Sequence, residues 1–151
     1  MKLSANFTLS ELTKSQTALR KGIPNNPNAT QIDALKELCL NVLQPLRSYY
    51  DKPVLVSSGF RTPELCIAIG SSIDSQHAKG QAADIEITSV DNKELAEYII
   101  NNLSFDQIIL EFYDGAPDSG WVHVSYVNEK ENRGQKLKAF KENGKTQYVP
   151  F

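Results

Sequence analysis

Two histidines occur in the chain, His77 and His123. Neither suits a core position, because His77 belongs to the polar run Ser71-Ser72-Ile73-Asp74-Ser75-Gln76-His77-Ala78-Lys79-Gly80 and His123 interrupts the otherwise apolar Trp121-Val122-His123-Val124-Ser125-Tyr126. Asp84 stands among apolar neighbours in Gln81-Ala82-Ala83-Asp84-Ile85-Glu86-Ile87, where burying a carboxylate is costly without a compensating charge. Two imidazoles and one carboxylate form a borderline-soft donor set suited to zinc, which in catalytic sites commonly keeps three protein ligands and leaves a fourth position for water. Residue types and spacing alone leave three readings open: a zinc centre, ordinary polar residues satisfied by hydrogen bonds, or a site of another kind.

The elements carrying these residues follow from periodicity. In a strand over 81–87, a two-residue repeat puts Ala82, Asp84 and Glu86 on one face and Ala83, Ile85 and Ile87 on the other. A strand over 121–126 sets Trp121, His123 and Ser125 against Val122, Val124 and Tyr126, and one over 107–112 sets Gln107, Ile109 and Glu111 against Ile108, Leu110 and Phe112. The last two are joined by turn-rich residues 113–120, so an antiparallel hairpin is the simplest arrangement. Asp84, His123 and Glu111 then share one side of the sheet.

The strongest helix is expected over 31–50, with Thr30 as N-cap and Ile32, Leu35, Cys39, Val42, Leu46 and Tyr49 at steps of three and four. Thr62-Pro63 predicts a short helix over 63–69, and Asp91 to Glu94 has capping-box spacing before a helix ending near 101. Residues 54–57 read as a short strand. Residues 1–30 read as a partly irregular arm containing one or two short helices, with a capping box at Thr8-Leu9-Ser10-Glu11 and a loop at 22–28. Residues 127–151 are charged and weakly patterned, with a last edge strand at 147–149. The expected fold class is α+β: a small mixed or antiparallel sheet with helices packed on one face, within a single domain spanning 1–151.

The length of 151 residues suffices to bury a sizeable core. Apolar residues make up 40% and charged residues 23% of the chain, the proportions of an ordinary globular domain. Sixteen Lys and Arg against eighteen Asp and Glu give a net charge of −2, so no global field attracts nucleic acid. No apolar stretch is long enough for membrane insertion, and the first residues lack the apolar run of a signal peptide, so the expectation is a soluble chain, cytoplasmic at synthesis. A monomer is expected. Cys39 and Cys66 form no framework spacing, and Cys39 falls on the helix stripe, as an inert buried thiol would.

Three segments, in order, carry a resemblance. Ser75-Gln76-His77-Ala78-Lys79-Gly80-Gln81-Ala82-Ala83-Asp84-Ile85 resembles the SxHxxGxAxD signature of the zinc-dependent murein peptidases of the M15 class, the D-Ala-D-Ala carboxypeptidase-like group with the hedgehog/DD-peptidase fold. Ser57-Ser58-Gly59-Phe60-Arg61-Thr62-Pro63 is similar to its upstream S-G-[YF]-R-[ST]-P segment, and Trp121-Val122-His123-Val124-Ser125 to its W-[IV]-H-[IV]-S ending. The resemblance implies a Zn2+ cofactor held by His77, Asp84 and His123, with Arg61 stabilising negative charge on the substrate. It implies a bacterial cell-wall peptide as substrate and hydrolysis of a stem-peptide or crosslink amide.

Many relatives place an acidic residue three positions before the last histidine, where this chain has Gly120. Phe105-Asp106-Gln107-Ile108-Ile109-Leu110-Glu111 is similar to a strand of a subset of the class, which makes Glu111 the expected catalytic base, with Asp118 as the alternative. Ser75, Gln76, Trp121 and Tyr126 are candidate substrate contacts, with Tyr113 a weaker one. The absent signal peptide fits a phage lysis enzyme, a virion component or a cytoplasmic recycling enzyme. The Gly120 departure also motivates a different reading, a non-catalytic zinc-stabilised binding or virion structural module that keeps the peptidase fold. A metal-free domain with structural histidines is the third.

Overall fold

The computed structural model describes all 151 residues. Six strands form the main sheet in the order β3-β4-β6-β5-β7-β8, with β3 Leu55–Ser58, β4 Ala82–Glu86, β5 Gln107–Glu111, β6 Trp121–Ser125, β7 Gln135–Glu142 and β8 Lys145–Pro150. All pairings are antiparallel except β5 with β7. The architecture is therefore the expected α+β class with a mixed sheet. No helix is long and apolar enough to cross a membrane.

The helix expected over 31–50 forms as α3 Ala29–Leu38 and α4 Gln44–Tyr50, joined without interruption by a π-helical turn at Cys39–Leu43. Its cap is Asn28 rather than Thr30: the Asn28 side chain accepts from the Gln31 amide while the Gln31 side chain accepts from the Asn28 amide. The π turn has a cause in Pro45, which lacks an N–H and crowds the carbonyl four residues back. Widening the helix so that the Gln44 amide bonds the Cys39 carbonyl relieves that conflict. Leu35, Cys39, Val42 and Leu46 are fully buried as the stripe requires, whereas Tyr49 at its end is 61% exposed. Burial pushes the Cys39 thiol up to about 12, so it stays protonated and inert.

Helix α5 Pro63–Ala68 is capped by Thr62, and α6 Asn92–Asn102 by Asp91, whose carboxylate accepts from Lys93 and Glu94 amides. The expected hairpin of β5 and β6 forms, pairing Ile109 with His123 and Glu111 with Trp121. The tail departs most from expectation. Residues 127–151 supply two strands, not one, and β7 lies parallel to β5 at the interior of the sheet order.

The arm forms the short helices expected of it, α1 Leu9–Thr13 and α2 Gln16–Lys21, and adds a small hairpin that was not expected, β1 Lys2–Ser4 with β2 Phe7–Thr8. Thr8 and Glu11 form the expected capping box. Leu3, Phe7 and Leu12 join one core cluster with Leu35, Leu38, Leu95 and Ile99 from the helices and Ala83, Ile85, Ile108, Leu110, Val122 and Val124 from the sheet. The helices thus cover one sheet face. Asp84, Ile109, Glu111 and His123 lie on the opposite one.

Candidate active site

The uncovered face of the sheet opens into a cleft of about 780 Å³, lined by residues that include Arg61, Ser75, Gln76, His77, Asp84, Glu111, Trp121 and His123. Strand pairing sets Asp84 directly beside His123, as the two-residue repeat predicts. His77 arrives from the 3-10 turn Gln76–Lys79, which precedes β4 and is capped by Ser75 accepting from the His77 amide. Ser75 therefore has a backbone task in shaping this turn while it lines the cleft.

The three side chains converge. Asp84 Oδ1 lies 3.0 Å from His123 Nδ1 and 3.4 Å from His77 Nε2, and one ligand atom from each residue falls within 4.8 Å of the others. His77 Nδ1 lies 2.7 Å from the Gly59 carbonyl oxygen. A carbonyl only accepts, so Nδ1 carries a proton and donates it to Gly59, which leaves Nε2 as the nitrogen turned toward Asp84. That orientation of an imidazole by a backbone carbonyl is the usual preparation of a metal ligand, and the donor set fits a divalent cation. Burial alone pushes the Asp84 carboxyl up, but hydrogen bonding to His123 and His77 and their charge outweigh it and hold Asp84 well below the usual carboxylate range.

The loop behind His77 is braced by the arm. The Phe60 amide donates to the Leu12 carbonyl and the Arg61 amide to the His77 carbonyl. Asn25 donates through Nδ2 to the carbonyls of Thr13 and Phe60 and accepts from the Thr62 amide. A Cβ at position 59 would come 2.3 Å from the Leu12 carbonyl oxygen, so the close approach requires glycine there. The arm thus fixes the carbonyl that orients His77.

Arg61 projects into the site and is mostly buried. Its Nε donates to Ser58 Oγ at 2.8 Å and its Nη2 to Asp84 Oδ2 at 3.4 Å. Glu111 Oε2 accepts from Trp121 Nε1 at 2.8 Å. Burial and the charge of Asp84 raise Glu111 above the ordinary carboxylate value, while His123, the Trp121 hydrogen bond and Arg61 act against that rise.

Not every sequence candidate reaches the cleft. Tyr126 is only 3% exposed and packs in the core cluster with Val122 and Val124, so the expected substrate contact is corrected to a core residue. Tyr113 bonds Asp91 Oδ2 outside the cleft, and Asp118 lines a separate hollow with Glu86 and Pro117. Gly120 explains the departure from the acidic pattern. Its φ is +63°, and a Cβ would lie 1.8 Å from the Glu111 carbonyl oxygen, so this backbone has no room for a glutamate at 120.

Sequence reasoning missed Asp106 and Arg133. Asp106 is buried, and its carboxylate accepts from Gln76 Nε2 at 2.9 Å, Arg133 Nη2 at 2.7 Å, Arg133 Nε and the Arg133 amide. Hydrogen bonding by Arg133 holds the Asp106 carboxyl below its ordinary range despite burial. The only signal was an aspartate beside apolar Phe105, with its partner 27 residues away.

No curated protein matches the chain. The sequence profile of the family described as Peptidase M15 matches residues 5–125, a span that begins in the arm and ends at the close of β6. That span contains the His77, Asp84 and His123 cluster together with Arg61 and Glu111, and by this match the chain belongs to the M15 peptidase family.

Proposed function

We propose that the chain hydrolyses an amide bond in peptidoglycan stem peptides or crosslinks, as a carboxypeptidase on D-Ala-D-Ala ends or as an endopeptidase, with zinc held by His77, Asp84 and His123. One observation carries this reading: three ligand atoms converge in a cleft that also presents Glu111 and Arg61. Zinc in such a site supplies Lewis acidity, polarising a carbonyl and making water acidic near neutral pH.

The remaining work falls to the chain's own groups. Glu111 takes a proton from water and passes it to the leaving amine, a role that contributes on the order of 10²–10⁴ in rate. Trp121 holds one carboxylate oxygen, Oε2, which leaves Oε1 for the proton. Arg61, held in place by Ser58, donates to the oxygen on which negative charge develops, and losing one such donor typically costs about 3 kcal/mol. Asp84 anchors the cation and offsets its charge. Trp121 walls the cleft and excludes bulk water, and Ser75 and Gln76 line the approach of the substrate.

The binding-module alternative drew its support from Gly120, and the backbone conformation there accounts for the glycine on steric grounds. Metal analysis combined with muropeptide digestion by the wild type and Glu111→Ala tests the proposal. The expected result is about one zinc per chain in both proteins, with digestion by the wild type alone. An inert wild type that retains zinc would favour the module instead.

A further inference from the structure

Asp106, Gln76 and Arg133 form a built polar corner at one end of the cleft, next to the turn that carries His77. Arg133 lies beyond the segment matched by the family profile. A guanidinium offers its N–H donors along two edges that each match a carboxylate. The edge formed by Nε and Nη2 is taken by Asp106, with distances of 3.1 Å and 2.7 Å to its two oxygens. The other edge, Nη1 with the second hydrogen of Nη2, has no partner in the protein, and the side chain is 55% exposed where it lines the cleft.

The buried aspartate fixes the guanidinium plane, so little conformational entropy remains to be lost when a second planar group docks. Lys79 lines the same cleft, is exposed and makes no ion pair. Asp106 largely offsets the charge of Arg133, and Lys79 and Glu131 in the lining carry opposite charges, so the directed donors of the free edge and not a net field hold a carboxylate here. Glu131, on the rim, accepts from Asn128 Nδ2. Val127 and Tyr148 add apolar surface for an aliphatic stem.

We infer that the free edge of Arg133, aided by Lys79, is a subsite for a carboxylate borne by the substrate chain away from the scissile bond, and that it selects acidic peptides over their carboxamide counterparts. Gln76, tied to the same aspartate, keeps this corner in register with His77. The inference rests on the proposed stem-peptide substrate and adds a selectivity to it.

The test uses two matched pairs of synthetic stem peptides. One pair carries the second-residue α-carboxyl as acid or carboxamide, and the other does so for a third-residue side-chain carboxyl. Binding is measured by calorimetry on zinc-loaded Glu111→Gln, and kcat/KM on the wild type, Lys79→Ala and Arg133→Lys. Lysine at 133 keeps a cation for Asp106 but removes the planar fork. The inference predicts roughly tenfold preference for the acid in at least one pair, reduced several-fold in Lys79→Ala and largely lost in Arg133→Lys with folding retained. Equal affinity for acid and amide in both pairs, or a preference that survives both substitutions, would overturn the subsite while cleavage of the peptides left the cell-wall reading intact. If none of the peptides binds or is cleaved, both readings fall together.

Discussion

At the scale of single residues, the site depends on which donors are already committed. His77 gives Nδ1–H to the Gly59 carbonyl and keeps Nε2 for the cluster. Trp121 donates to one oxygen of Glu111 and leaves the other free. A phenylalanine at 121 keeps the wall but loses this donor, and the hydrogen bond to a charged acceptor is worth about 1.5–3 kcal/mol. Trp121→Phe should therefore lower kcat roughly tenfold or more, with zinc content unchanged in metal analysis. Gly120 answers to sterics alone, since its positive φ and the approach of the Glu111 carbonyl exclude a side chain. Gly120→Ala should destabilise the fold by about 1–3 kcal/mol or more, measured by denaturant unfolding; an unchanged midpoint would refute the steric account. The relation between Gly120 and Glu111 was invisible in the sequence, because a backbone torsion across a hairpin turn leaves no trace in residue spacing. By contrast, the burial of Tyr126 was legible, because the two-residue repeat places it with Val122 and Val124 on the core face, and its choice as a substrate contact went against that repeat.

At the scale of elements, β4, β5 and β6 were legible because each alternates between an apolar face and a chemically active one. The sharing of a face by Asp84, His123 and Glu111 followed from that alternation, and the observed registers agree. Strand β7 was not legible. Its sequence Gln-Lys-Leu-Lys-Ala-Phe-Lys-Glu is charged along its length, with only Ala139 fully buried, so burial gives no contrast for pattern reading. Its parallel pairing with β5 depends on contacts distant in sequence. The loop before β7 is tied down by Arg133 on Asp106. Asp106 has a folded pKa held below its value of about 3.9 in the unfolded chain. Its stabilising contribution is therefore complete above that unfolded value and declines as pH falls through the lower folded one. Asp106→Asn should cost about 1–3 kcal/mol near neutral pH, and the gap to wild type should narrow toward pH ~3 in denaturant unfolding series. A gap that is constant with pH would show that the carboxylate charge contributes nothing.

At the scale of the whole molecule, the division of labour runs through the thickness of the sheet. One face is closed by helices and by the arm, and the other presents the cleft. The three ligand side chains come from a turn and two neighbouring strands, so a cation held among them links the braced loop region to the sheet. Zinc present at about a hundredfold over its dissociation constant should stabilise the native state by about 2.7 kcal/mol. That corresponds to a rise in Tm of roughly 5–10 °C for a domain of this size, and His77→Ala should abolish the rise in thermal unfolding. The most direct measurement of the central claim is an anomalous difference map from crystals of the zinc-loaded protein, collected across the zinc absorption edge. The account predicts one strong peak within about 2.0–2.2 Å of His77 Nε2, an Asp84 carboxylate oxygen and a His123 ring nitrogen, with Glu111 facing the open side. A peak elsewhere, or no peak in crystals of a protein that digests muropeptides, would contradict it.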